Sequence, residues 1–320
     1  MKELVAMADE ECLNLWDGLS CQYTEAPGLP LLRQEIAKDY PGMTAENILC
    51  FCGAEEGIYT AMRALLTDKD HAVILTPCYL SLKSVAASIC ESYTCLELTA
   101  AQGWKLNLDE LEASIIPDKT KMVVMNYPHN PTGAYLTPEE QAGVVAICEK
   151  HDVYLFFDEV YRGVEGEGVQ RLPTLASIYP KGLSLGVVSK ALGLAGLRIG
   201  WVACQDVATL AKMAGYKHYL SICNSAPSEV LALIALSFNV TVFMYLSIYG
   251  PCVLGREIDL EKEMPNLVPI MAIAGAVVFI CLILATWPVW GFFTPVYMVV
   301  LFFGSTLSMM FLPSGNLGNL

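Results

Sequence analysis

The chain has 320 residues, 54% hydrophobic and 16% charged, with 33 acidic against 19 basic side chains for a net charge of −14. That acidity excludes a nucleic-acid surface, which needs basic patches, and the apolar share exceeds that of an ordinary globular protein. The average hides a division, because residues 1–235 carry nearly all the charge while Met264–Leu320 contains no Asp, Glu, Lys or Arg.

The N-terminus, MKELVAMADEECLNLWDG, has acidic residues and no apolar run, so it does not read as a signal peptide. The segment LPLLRQEIAKDY (29–40) has the spacing of an amphipathic helix. Apolar, β-branched runs bounded by turns then follow: NILCFCG (47–53), AVILTP (72–77), YTCLEL (93–98) and KMVVMNYP (121–128). After the fourth run a helix start is signalled by Thr137 as N-cap, Pro138 at the first helical position and Glu140 closing a capping box. Three more runs complete the series: VYLFFDEV (153–160), LGVVSK (185–190) and RIGWVAC (198–204). Seven strands alternating with helices predict an α/β three-layer sandwich with a mostly parallel sheet.

Functional residues lie at the ends of these strands: Asn130 in NYPHNPTG, Asp158 and Tyr161 in FFDEVY, Lys190 in VVSK and Arg198 in GLAGLRIGW. Each string alone is unspecific; the ordered set resembles the large domain of the class I/II aminotransferases, fold-type-I pyridoxal phosphate enzymes, over about residues 15–235. The resemblance implies a Schiff-base role for Lys190, which would also shuttle the substrate proton, and pairing of Asp158 with the pyridine nitrogen. It implies that Tyr161 and Asn130 hold the ring hydroxyl, and that Ser189, Arg198 and the backbone N–H groups of Ala54 and Glu55 hold the phosphate. Tyr79 matches the aromatic that stacks on the ring. Tyr23 matches a tyrosine reaching the phosphate of a neighbouring subunit, which implies a homodimer acting on an amino acid and 2-oxo acid pair. Many relatives have a second serine three residues before the lysine, and that position is Val187 here.

Twelve cysteines are scattered without a CxxC pair, and His71, His129, His151 and His218 lack metal-ligand spacing, so reduced buried thiols and no metal are expected.

Residues 236–320 read as a multi-span transmembrane helical tail, with apolar stretches at about 230–249, 267–286 and 290–312, each long enough to cross a bilayer. Trp287, Trp290 and Tyr297 flank or enter the third, as interfacial aromatics do. The tail, especially MPNLVPI and WPVWGFFTP, resembles the C-terminal half of the transmembrane protein 128 family, which implies an endomembrane such as the endoplasmic reticulum. Lys212 and Lys217 before the first stretch favour a cytosolic N-terminal domain, while Arg256 and Lys262 in the next loop pull weakly the other way. The aminotransferase small domain, with its carboxylate-binding arginine, is expected to be missing, since Arg256 and Lys262 are the only Lys or Arg after Lys217. Three readings stay open: a membrane-anchored aminotransferase, a catalytically silent membrane protein with a cofactor-binding domain, and a fused or misjoined coding sequence.

Overall fold

A computed structural model describes residues 2–166 and 168–244. The chain divides into two compact units, Met1–Val242 and Phe243–Leu320, and nearly all of the second lies outside the described residues.

The first unit is built on one seven-stranded sheet: β1 (Ile48–Phe51), β2 (His71–Thr76), β3 (Ser92–Glu97), β4 (Thr120–Asn126), β5 (Tyr154–Asp158), β6 (Gly182–Val187) and β7 (Gly200–Ala203). Their order is β1-β7-β6-β5-β4-β2-β3. The β2–β3, β2–β4, β4–β5 and β5–β6 pairs are parallel, and β7 is antiparallel to both β6 and β1.

Successive strand residues point to opposite faces, so each strand feeds two cores. On one face Leu49, Phe51, Ile74, Val124, Phe156, Leu185 and Val202 pack against helices Ala54–Leu65, Leu80–Ile89 and Val207–Lys217. On the other, Val73, Met125, Leu155 and Phe157 meet Leu108–Ala113 and Pro138–Lys150. Ile48, Cys50, Trp201 and Ala203 continue that second face against Pro30–Ala37 and the start of Ala226–Met244. The inner strands are therefore apolar on both sides, as the continuous runs in the sequence require, whereas β3 at the sheet edge is largely uncovered. The three-layer α/β architecture is present.

The helix Pro138–Lys150 starts as expected: Thr137 caps it and Glu140 Oε2 accepts from the Thr137 N–H at 2.8 Å. One expectation is corrected. The sixth strand runs over Gly182–Val187, three residues earlier than 185–190. It begins where Gly182 pairs with Leu155 of β5, a position with no room for a side chain, and ends where the chain turns to expose Lys190. The first apolar stretch of the tail is a core element over its opening residues: Val230–Ala235 is buried against the sheet within Ala226–Met244. Among the described residues no helix is long and apolar enough to cross a membrane. The stretches at 267–286 and 290–312 lie outside the described residues.

Candidate active site

Parallel strands end on one rim of a sheet, and that is where α/β folds place ligands. The rim here carries a cavity of about 250 Å³ lined by side chains from five connections. Asn126 and Asn130 come from the end of β4, Asp158 and Tyr161 from the end of β5, and Ser189 and Lys190 from the turn after β6. Ala54 and Glu55 begin the helix after β1, Tyr79 precedes Leu80–Ile89, and Arg198 lies in the approach to β7. Every residue assigned to the site from sequence lines this cavity except Tyr23, which is 82% exposed elsewhere.

Asp158 is the buried acid of the site. Burial raises its carboxyl to about 7, while the Val160 N–H donated to its Oδ1 at 3.1 Å and the Lys190 charge pull the other way. A buried carboxyl shifted this far inside a cavity marks a functional-site candidate. The next residue, Glu159, points away: its Oε1 accepts from the Leu175 N–H at 3.1 Å, and it too is raised to about 7 by burial. Lys190 Nζ stands 5.4 Å from the centre of the Tyr161 ring.

The end of the cavity beside Ala54 and Arg198 is made by close backbone approach. Gly53, at φ +89°, is the N-cap of Ala54–Leu65, and any side chain there would collide with the Arg198 guanidinium. Gly200 is equally constrained, since a Cβ would come within 2.7 Å of the Ala54 nitrogen. Arg198 itself has φ +55°, a left-handed conformation that costs a non-glycine residue and that folds retain at sites of function. The free N–H groups at this helix start and the guanidinium together make an anion site. Ser189 Oγ is buried without a hydrogen-bond partner. Val187, where many relatives carry a serine, lines the cavity with an apolar side chain.

One residue of the rim was not singled out from sequence. Asn126, 1% exposed, donates from Nδ2 to the Asp158 carbonyl at 2.8 Å and accepts at Oδ1 from the Asn130 N–H at 2.8 Å. No local sequence signal marks it, because its role depends on the pairing of β4 with β5, where Asn126 and Asp158 are in register. His129 contributes no lining, being buried with Nδ1 2.6 Å from Thr132 Oγ1. Among the described residues no group of His, Cys, Asp or Glu is arranged to hold a metal ion.

Fold and site together define an α/β domain of the aminotransferase kind. A family model described as aminotransferase class I and II matches residues 10–239, and the chain belongs to that family. A second model, TMEM128 protein, matches residues 207–312. Among curated relatives, kynurenine–oxoglutarate transaminase 1 of Mus musculus is 29% identical over 237 residues, covering 68% of this chain and 55% of that protein. Aspartate aminotransferase of Sulfurisphaera tokodaii is 30% identical over 225 residues, covering 67% and 55%. A solved PLP-dependent aminotransferase from Streptococcus suis superposes with a TM-score of 0.69 at 27% identity, covering 77% of this chain and 65% of that one. The chain spans about half the length of the curated relatives it matches. The family works with pyridoxal phosphate. The residues present suit that group: a buried acid, a lysine, an unpartnered buried hydroxyl and a cationic cradle surround one cavity.

Proposed function

We propose that residues 10–239 bind pyridoxal phosphate and use it as an aminotransferase does, on an amino acid and 2-oxo acid pair. The observation that carries this reading is the convergence of Asn130, Asp158, Tyr161, Ser189, Lys190 and Arg198 on one cavity. In it, Lys190 Nζ attaches the cofactor and, when free, moves the proton at the substrate α-carbon. Asp158 holds a proton on the ring nitrogen, and the Tyr161 hydroxyl and Asn130 amide bind the ring oxygen. Tyr79 stacks on the ring. Ser189, Arg198 and the Ala54 and Glu55 N–H groups hold the phosphate. When bound, the cofactor supplies an electron sink for the carbanion beside the substrate nitrogen.

The relatives act on different amino acids by name, kynurenine in one and aspartate in the other, so the substrate is put no more narrowly than the class. Tyr23, 82% exposed, is assigned to a second copy's phosphate, in a homodimer with shared sites. Residues 236–320 are assigned to an endomembrane, with the aminotransferase-like part cytosolic. The uncharged runs and the TMEM128 match at 207–312 support that assignment.

Borohydride reduction of the protein loaded with pyridoxal phosphate, followed by peptide mapping, should find the label on Lys190. Lys190→Ala should remove the visible absorbance of the bound cofactor and leave the circular dichroism unchanged. Labelling at another lysine in folded protein would refute the reading. A second reading, a silent cofactor-binding domain, is favoured by one observation: Arg256 and Lys262 are the only Lys or Arg after Lys217. In that reading, conversion of bound cofactor by a panel of common amino acids is slow, because an unoriented substrate forgoes several kcal/mol of barrier reduction. Rapid conversion by any of them would exclude the silent reading.

A further inference from the structure

We infer that Asn126 is a positioning residue that sets the separation between the two sides of the cofactor ring, holding the Asn130 loop against the Asp158 strand. The inference rests on the proposed cofactor site. Its basis is a single buried amide with both ends engaged. Nδ2 donates to the Asp158 carbonyl and Oδ1 accepts from the Asn130 N–H, each at 2.8 Å, with 1% of the residue exposed.

The reason for an amide lies in the way β4 ends. Asn126 and Asp158 are the last paired residues of β4 and β5. Beyond them the Tyr127 N–H still donates to the Asp158 carbonyl at 3.1 Å, and the chain then leaves the sheet through Pro128. Asn130 is thus on a loop with no strand neighbour, and its N–H is anchored by the Asn126 side chain. The Asp158 carbonyl consequently accepts two hydrogens, one from the Tyr127 backbone and one from the Asn126 amide. A carboxylate at 126 would face that carbonyl with no donor, and an alanine would leave the Asn130 N–H unanchored. A neutral group with one donor and one acceptor satisfies both.

The effect on chemistry is indirect. A hydrogen bond to an ionised oxygen lowers its pKa. An Asn130 amide fixed in place therefore stabilises the anionic ring oxygen, and Asn126 acts by fixing it. The experiment is a pH titration of the visible spectrum of the loaded protein, in wild type, Asn126→Ala, Asn130→Ala and the double variant. Asn126→Ala should raise the midpoint in the same direction as Asn130→Ala, by about one pH unit. The double variant should shift no further than Asn130→Ala alone, since the two act through one contact. Asn126→Ser, whose hydroxyl can meet either partner, should recover part of the shift; it also carries the test if the alanine variant fails to fold. An unmoved midpoint in folded Asn126 variants, or additive shifts in the double variant, overturns the inference alone. Wild-type protein that takes up no cofactor overturns the cofactor site and the inference with it.

Discussion

Asp158 is a carboxyl that burial raises to about 7 from an ordinary value of 3.8, with Glu159 raised to about 7 on the opposite face. The folded state therefore binds protons that the unfolded chain has released over that interval. For groups raised in the fold, stability is fully present below the unfolded value and is lost as pH rises through the folded one. The cofactor-free protein should accordingly lose stability between about pH 4 and pH 7. Asp158→Asn should flatten part of that slope in denaturant titrations; an unchanged slope would show that Asp158 ionises without penalty. Ser189 makes a smaller claim. Its buried, unpartnered hydroxyl should gain a phosphate contact, so Ser189→Ala should weaken cofactor binding by about 1 kcal/mol, roughly fivefold in Kd, measured by equilibrium dialysis. Side chains with unusual chemistry were readable in advance, because a lysine or aspartate closing an apolar run is conspicuous. Asn126 was not, since its amide matters only through partners 4 and 32 positions away that strand pairing brings to it.

Among elements, the strands were the most legible part, because residues buried on both faces leave unbroken apolar runs. Their ends were less so. LSLGVVSK offers no polar break between strand and turn, and the start of the strand is set by its pairing with β5, Leu155 opposite Gly182, which no local signal announces. The helix at Pro138 was readable to the residue because its cap is local chemistry. The helix start at Ala54 depends instead on a glycine, and Gly53→Ala tests it. A methyl group at φ +89° is strained and strikes the Arg198 guanidinium. We expect a loss of about 1–3 kcal/mol in thermal or denaturant unfolding, together with weaker cofactor binding. A variant as stable as wild type, with cofactor affinity intact, would show that the cradle has more room than its geometry indicates.

For the whole molecule, the two family matches overlap at residues 207–239, across Val207–Lys217 and much of Ala226–Met244. The join therefore runs through elements that also complete the aminotransferase-like core, as the burial of Val230–Ala235 shows. Lys217, read from sequence as a charge flanking a membrane stretch, is 1% exposed and donates to Ser221 Oγ at 3.0 Å. It is a core residue of this unit, which leaves Lys212 as the exposed cation on that side. A transcript read continuously across the codons of Ala226–Met244 would exclude the misjoined reading. Carbonate extraction of the full chain should leave it in the membrane pellet, whereas release into the soluble fraction would remove the anchoring proposal.

The reversed seventh strand also governs the order in which the molecule can be assembled. Among the described residues, Ile48–Phe51 lies at the sheet edge with Gly200–Ala203 as its one strand partner. On a ribosome the first of these emerges about 150 residues before the second, a long loop to close and a slow class of contact to make. Arg198 and the Ala54 nitrogen, one on each side of that late pairing, cannot meet until it forms. On the proposed reading, a nascent chain has Asp158 and Lys190 in hand before the Ala54–Arg198 side of the cavity closes, and cofactor uptake is expected late in the folding of the unit.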